Sequence, residues 1–86
     1  MKAVRWNELK NSRLKRTRGM SFEELMQANL VNTREHPTRP GQYLMLFERK
    51  GYIWAVPYVE DGDGLFLKTL YRSRKYTKLY RRGELK

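Results

Sequence analysis

The sequence predicts an α+β fold with two N-terminal helices, an antiparallel meander of three to four strands and a basic C-terminal helix. Three observations carry this expectation. Two helix-capping signals fall close to the N-terminus, at Asn7 and at Ser21 with Glu24 three positions on. Three runs rich in aromatic and β-branched residues come next, separated by the turn sequences Lys50-Gly51 and Asp61-Gly62-Asp63-Gly64. The last run passes at Ser73 into a basic segment with Tyr76, Leu79 and Tyr80 on one helical face. The 86 residues leave room for one domain, 1–86, around one modest core.

Taken in order, Ala3 to Trp6 reads as a short extended segment, and Asn7 caps a helix running from Glu8 to Thr17. Leu9 and Leu14 are the only large apolar side chains of that helix, so it buries a narrow stripe with Trp6 at its start. Lys10, Arg13, Lys15, Arg16 and Arg18 stay at the surface, and Gly19 ends the helix. Ser21 and Glu24 form a capping box for a second helix, which sets Phe22, Leu25 and Met26 on one face, with Met20 stapling its beginning.

Leu30 to Glu35 is extended, and the prolines and glycine of His36-Pro37-Thr38-Arg39-Pro40-Gly41 make a loop. The strands predicted next run from Gln42 to Arg49, Tyr52 to Glu60 and Leu65 to Tyr71. Pro57 cannot donate to a ladder and implies an edge or a bulge; a strand between two hairpins has neighbours on both sides, which favours the bulge. Ser73 caps the final helix, from Arg74 to Arg82, and Gly83 ends it. The chain has no internal repeat, low-complexity tract or linker.

Charge is unevenly spread. Residues 1–19 carry seven Lys or Arg against one acid, residues 20–64 four against seven, and residues 65–86 eight against one, within a net charge of +10. If the two ends come together, one strongly positive surface results, suited to a phosphate backbone or to an acidic protein. From Leu65 to Arg82 the chain holds Lys68, Arg72, Arg74, Lys75, Lys78, Arg81 and Arg82 with Tyr71, Tyr76 and Tyr80 and no acid. Cations meet phosphates and aromatic faces stack on unpaired bases, so nucleic acid is the first candidate ligand, with RNA ahead of DNA.

Other chemistry is thinly represented. The absence of cysteine rules out a disulfide framework and a thiolate metal site. A single histidine, His36, rules out a histidine metal cluster or a paired-histidine ribonuclease site, and no metal or cofactor is expected. The Asp61-Gly62-Asp63-Gly64 segment lacks the later ligands of a calcium loop and reads as a turn. Neither a glycine-rich phosphate loop nor a nucleophile elbow is present. No apolar run is long enough to cross a membrane, and the first residues lack the apolar stretch of a secretory signal, so no membrane association and a cytoplasmic location are expected.

Cleavage of RNA by cations and phenols remains open. RNA carries its own nucleophile in the 2′-hydroxyl, so a protein can cut it by holding an in-line attack and stabilising charge on the phosphate. Lys68, Arg72, Arg74 and Tyr76, around the strand-to-helix junction, are the candidate catalytic residues. Arg13, Arg16, Arg18, Arg49, Lys75, Lys78, Tyr80 and Arg81 are the candidate nucleic-acid contacts. The general base is not identified: a lysine would need its pKa lowered by burial or neighbouring cations, and a tyrosine would need more.

Several phrases in this order resemble the BrnT-type toxins, relatives of the RelE-like ribonucleases of bacterial toxin-antitoxin pairs. They are Arg5-Trp6-Asn7, Lys10-Asn11, Arg18-Gly19-Met20-Ser21-Phe22-Glu23-Glu24, and Ser73-Arg74-Lys75 followed by Thr77. The resemblance covers both ends, the middle matching mainly in its strand pattern. It implies a RelE-like fold and a metal-independent endoribonuclease acting on RNA, free or on the ribosome, held inactive by a small DNA-binding antitoxin. Arg74 falls where that family has an arginine in its final basic motif, whereas Arg18 stands where it commonly has histidine. An arginine there keeps a charge but not the acid-base function. The expected site is a basic cleft between the first helix, the sheet and the last helix. Two other readings stay open: a non-catalytic RNA- or ribosome-binding module using the same surface, and an interaction domain whose basic face meets an acidic protein.

Overall fold

Each helix begins where its capping residue stands. The computed structural model describes residues 3–85; Lys2 and Lys86, both counted among the cations of the basic ends, lie outside the described residues. A two-residue strand β1 (Val4–Arg5) precedes α1 (Glu8–Arg18), whose start is fixed by Asn7 Oδ1 accepting the Lys10 N–H at 2.9 Å. Ser21 and Glu24 form the complete capping box of α2 (Phe22–Met26), each side chain accepting the other's backbone N–H.

Then come β2 (Asn29–Glu35), β3 (Tyr43–Arg49), β4 (Tyr52–Asp61), β5 (Gly64–Leu67), β6 (Tyr71–Arg72) and α3 (Arg74–Arg81). Lys50 and Gly51, with φ of 54° and 83°, make the two-residue turn between β3 and β4. The sheet order is β1-β5-β4-β3-β2, with β6 pairing the rest of β4. β2 to β5 form the expected antiparallel meander, but the sheet is mixed, because β1 runs parallel to β5 with Val4 opposite Leu65. That approach requires Gly64: a Cβ there would stand 2.8 Å from the Ala3 carbonyl oxygen.

The predicted strand from Leu65 to Tyr71 is broken in two. Leu67 faces Tyr58 in β5, yet Tyr71, four residues later, faces Ala55, only three residues back along β4. One extra residue has entered the chain opposite Pro57. The Pro57 carbonyl accepts the Lys68 N–H at 2.8 Å on this side, and proline has no N–H with which to continue the ladder. Because strand side chains alternate, the one-residue shift exchanges the faces of the side chains beyond it. Tyr71 joins Ala55 on one face and Arg72 joins Trp54 on the other.

The sheet therefore lies between two cores rather than over one. On one face α1 and α2 bring Leu14, Phe22 and Leu25 against Met45, Phe47, Trp54, Val56 and Leu67. On the other, Tyr76 and Leu85 pack on Leu44, Leu46, Ile53 and Ala55. Leu9 does not take part in the stripe expected of α1: it is 85% exposed, and Leu14 alone of the pair is buried.

Polar bonds compensate for this thin attachment. Buried Asn11 donates to Glu23 Oε1 at 2.6 Å and accepts the Phe22 N–H at 2.8 Å, while Lys15 pairs with Glu24 at 2.8 Å. The Lys15 bond, aided next by the Ser21 backbone N–H, holds the Glu24 carboxyl down to about 2.

Candidate nucleic-acid interface

The junction between β6 and α3 is clamped to β4 by two small hydroxyl residues. The Ser73 N–H donates to the Ile53 carbonyl at 2.8 Å, and Ser73 Oγ caps α3 by accepting the Tyr76 N–H at 3.1 Å. Thr77 Oγ1 donates to the Ser73 carbonyl at 2.6 Å and accepts the Ile53 N–H at 2.9 Å. Both residues are buried, so the start of the basic helix is fixed on the sheet with these polar groups satisfied.

An open cleft of about 1030 Å³ lies over this junction. α3 and its end supply Arg74, Thr77, Lys78, Arg81 and Arg82; β6 supplies Tyr71 and Arg72, with Ser73 between them. Tyr52 and Trp54 come from β4 and Arg18 from the last turn of α1. Arg18 reaches the cleft because its guanidinium donates to the Leu70 carbonyl in the segment between β5 and β6, where the ladder is interrupted.

Among the described residues six in the lining are Arg or Lys and none is acidic. The ion pairs Arg5–Asp61, Lys15–Glu24 and Arg49–Glu24 all lie elsewhere. Among the described residues Arg74, Lys78 and Arg82 have neither an ion pair nor a ring contact. The first turn of α3 also lacks an acid, so the positive end of its dipole adds to the same field. Tyr71 is half-buried, and that burial, reinforced by neighbouring Tyr76, raises its phenol above the ordinary value of 10. At neutral pH it is a hydrogen-bond donor and not a base. The arrangement can bind and neutralise a polyanion, while among the described residues its lining offers neither a histidine nor a carboxylate side chain for proton transfer.

Of the residues singled out from sequence, Arg18, Arg72, Arg74, Lys78 and Arg81 converge on the cleft. The others are placed apart from its lining. Tyr76 is a core residue, 5% exposed, with Arg34 and Lys75 against its ring at 5.1 and 5.3 Å. Lys75 is thus held against that ring and does not line the cleft, and Tyr80 is half-buried against the same core. Lys68 is exposed beside the broken ladder but does not line the cleft, and Arg13 and Arg16 are exposed along α1. Arg49 is bound to Glu24 at 3.6 Å and to Met20 Sδ at 3.4 Å, and lines a separate depression of about 440 Å³.

Sequence reasoning missed Tyr52, Trp54, Tyr71 and Arg82 as lining residues. The alternation of Tyr52 and Trp54 along one strand puts them on one face, but the register that brings Arg72 to that face depends on the break at Pro57.

No protein-family model matches the chain, and no curated protein matches it significantly. The crystal structure of the ribonuclease toxin BrnT of Brucella abortus has the same fold, with a TM-score of 0.57 and 20% sequence identity, over 85% of this chain and 97% of that one. The fold expected from the resemblance is therefore shown. Among the described residues, no helix is long and apolar enough to cross a membrane.

Proposed function

We propose that this protein is a toxin-like endoribonuclease whose cleft between the end of α1, the sheet and α3 binds RNA through its phosphates. The observation that carries the reading is the cleft itself: among the described residues it has six cations with aromatic faces between them and no acid, at the start of a helix clamped to the sheet. The likeness in fold to a ribonuclease toxin supports the reaction class.

In the proposed reaction the 2′-oxygen attacks the adjacent phosphorus and the bond from phosphorus to the 5′-oxygen breaks. The products carry a 2′,3′-cyclic phosphate and a 5′-hydroxyl. Arg74 and Arg72 stabilise charge on the phosphate oxygens, their planar forks matching two oxygens at once. Lys78, Arg81, Arg82 and Arg18 hold the flanking backbone, and neutral Tyr71 donates a hydrogen bond. With neither a histidine nor a carboxylate side chain among the described lining residues, the 2′-hydroxyl proton passes to water and the departing 5′-oxygen takes one from it. A positively charged cleft of this kind suits RNA either free or on the ribosome, and an antitoxin of acidic surface would block it.

The same lack of a base favours a second reading, a binding module that holds RNA without cutting it. Incubation of the protein with single-stranded RNA in the presence of a chelator separates the two. Fragments ending in 2′,3′-cyclic phosphate, lost in Arg74→Ala, establish the ribonuclease; intact RNA that binds tightly at low salt establishes the module.

A further inference from the structure

Two guanidinium groups share one ring at the cleft. Arg72 Cζ lies 4.8 Å and Arg81 Cζ 5.1 Å from the centroid of the Tyr52 ring. The three residues come from different elements: Tyr52 opens β4, Arg72 ends β6 and Arg81 ends α3. Among the described residues neither arginine forms an ion pair, and the Arg81 guanidinium donates a long hydrogen bond, 3.4 Å, to the Gly51 carbonyl. Two cations drawn to one place without an anion repel each other, and the negative face of the ring is the group that attracts both. Tyr52 itself is 42% exposed, so its ring contributes little to either core.

We propose that Tyr52 is a positioning residue of the cleft, holding the Arg72 and Arg81 guanidinium groups together so that both meet the nucleic-acid backbone already gathered. The inference rests on the reading of the cleft as a phosphate-binding RNA site. A free arginine gives up its rotamer freedom when it binds, whereas one held on a ring has given it up on folding. Arg72 is available for this role because the shift opposite Pro57 sets it on the same face as Trp54. Two guanidinium groups lie against the ring, and a ligand with phosphates but no bases separates this role from the stacking of bases.

The test measures binding of a single-stranded oligoribonucleotide and of short-chain inorganic polyphosphate, which has phosphates but no bases, to the intact protein and to Tyr52→Leu and Tyr52→Phe. Circular dichroism checks that the variants are folded. Tyr52→Leu is expected to weaken both ligands by about tenfold, and Tyr52→Phe, which keeps the ring, by less than about twofold. Unchanged binding in Tyr52→Leu, or equal losses in both variants, overturns the proposal. Loss of RNA binding alone assigns Tyr52 to base stacking and also overturns it. If the unsubstituted protein binds polyphosphate but not RNA, the RNA reading fails, while Tyr52 is still judged by the polyphosphate series. If it binds neither, both fail.

Discussion

Arg74 opens α3 at the cleft and has no ion pair or ring contact among the described residues, so its guanidinium is free to meet a phosphate. Arg74→Ala is expected to lower the cleavage rate by about a hundredfold or more, because one donor aimed at developing charge is worth that much. RNA affinity should fall by only about tenfold or less, since it is shared among many contacts. Rate and affinity measured on the same preparation check this, and equal losses point to the binding module. Arg18 offers the complementary experiment. Arg18→His places a titratable group beside Leu70 at the cleft, and should raise the rate and give it a pH dependence near the histidine range, around 6.5. A flat pH profile with weaker binding would mean that the position supplies charge alone. Both positions were legible in the sequence as cations. The place of Tyr76 was not, because helical spacing shows that it shares a face with Leu79 and Tyr80 but not that this face turns into the core.

At the scale of elements, α3 is held by hydroxyls and α1 by amides and ions. Thr77→Val keeps the shape but removes the acceptor of the buried Ile53 N–H, and should cost about 1–3 kcal/mol in urea unfolding, with Thr77→Ser retaining most of it. The α1–α2 joint should respond to acid. The Glu24 carboxyl is depressed in the folded protein from its ordinary value of 4.5 to about 2, chiefly by Lys15. Its contribution to stability is therefore fully present above about 4.5 and is lost as the pH falls towards 2. Lys15→Met should be less stable than the parent at pH 7, with the difference shrinking across that interval; a constant difference between pH 6 and 2 would contradict the ion pair's role. The capping box and both helix caps could be read from sequence, since they depend on residues three apart. The Asn11 bonds to Glu23 and Phe22 span a helix and a turn and could not.

For the whole molecule, the gathering of six cations around one cleft predicts a steep salt dependence. If all six meet phosphates of a single strand, log affinity should fall against log salt with a slope of roughly −4, and Lys78→Gln or Arg82→Gln should each flatten it by about 0.7. Titrations of RNA binding over a range of salt concentrations measure both values. Substitution of Arg13 or Arg16, which line no part of the cleft, should leave the slope nearly unchanged. Caps, alternation and turn residues act over a few positions, so the α+β class, the places where helices begin, the meander and the excess of positive charge at both ends could be read along the chain. Tertiary structure alone decided which cations meet. Its deciding feature is the one-residue shift opposite Pro57, where a missing N–H breaks the ladder and turns Arg72 towards Tyr52 and Tyr71 towards the core. A register is a relation between two strands, and a change of one residue exchanges the faces of every side chain beyond it.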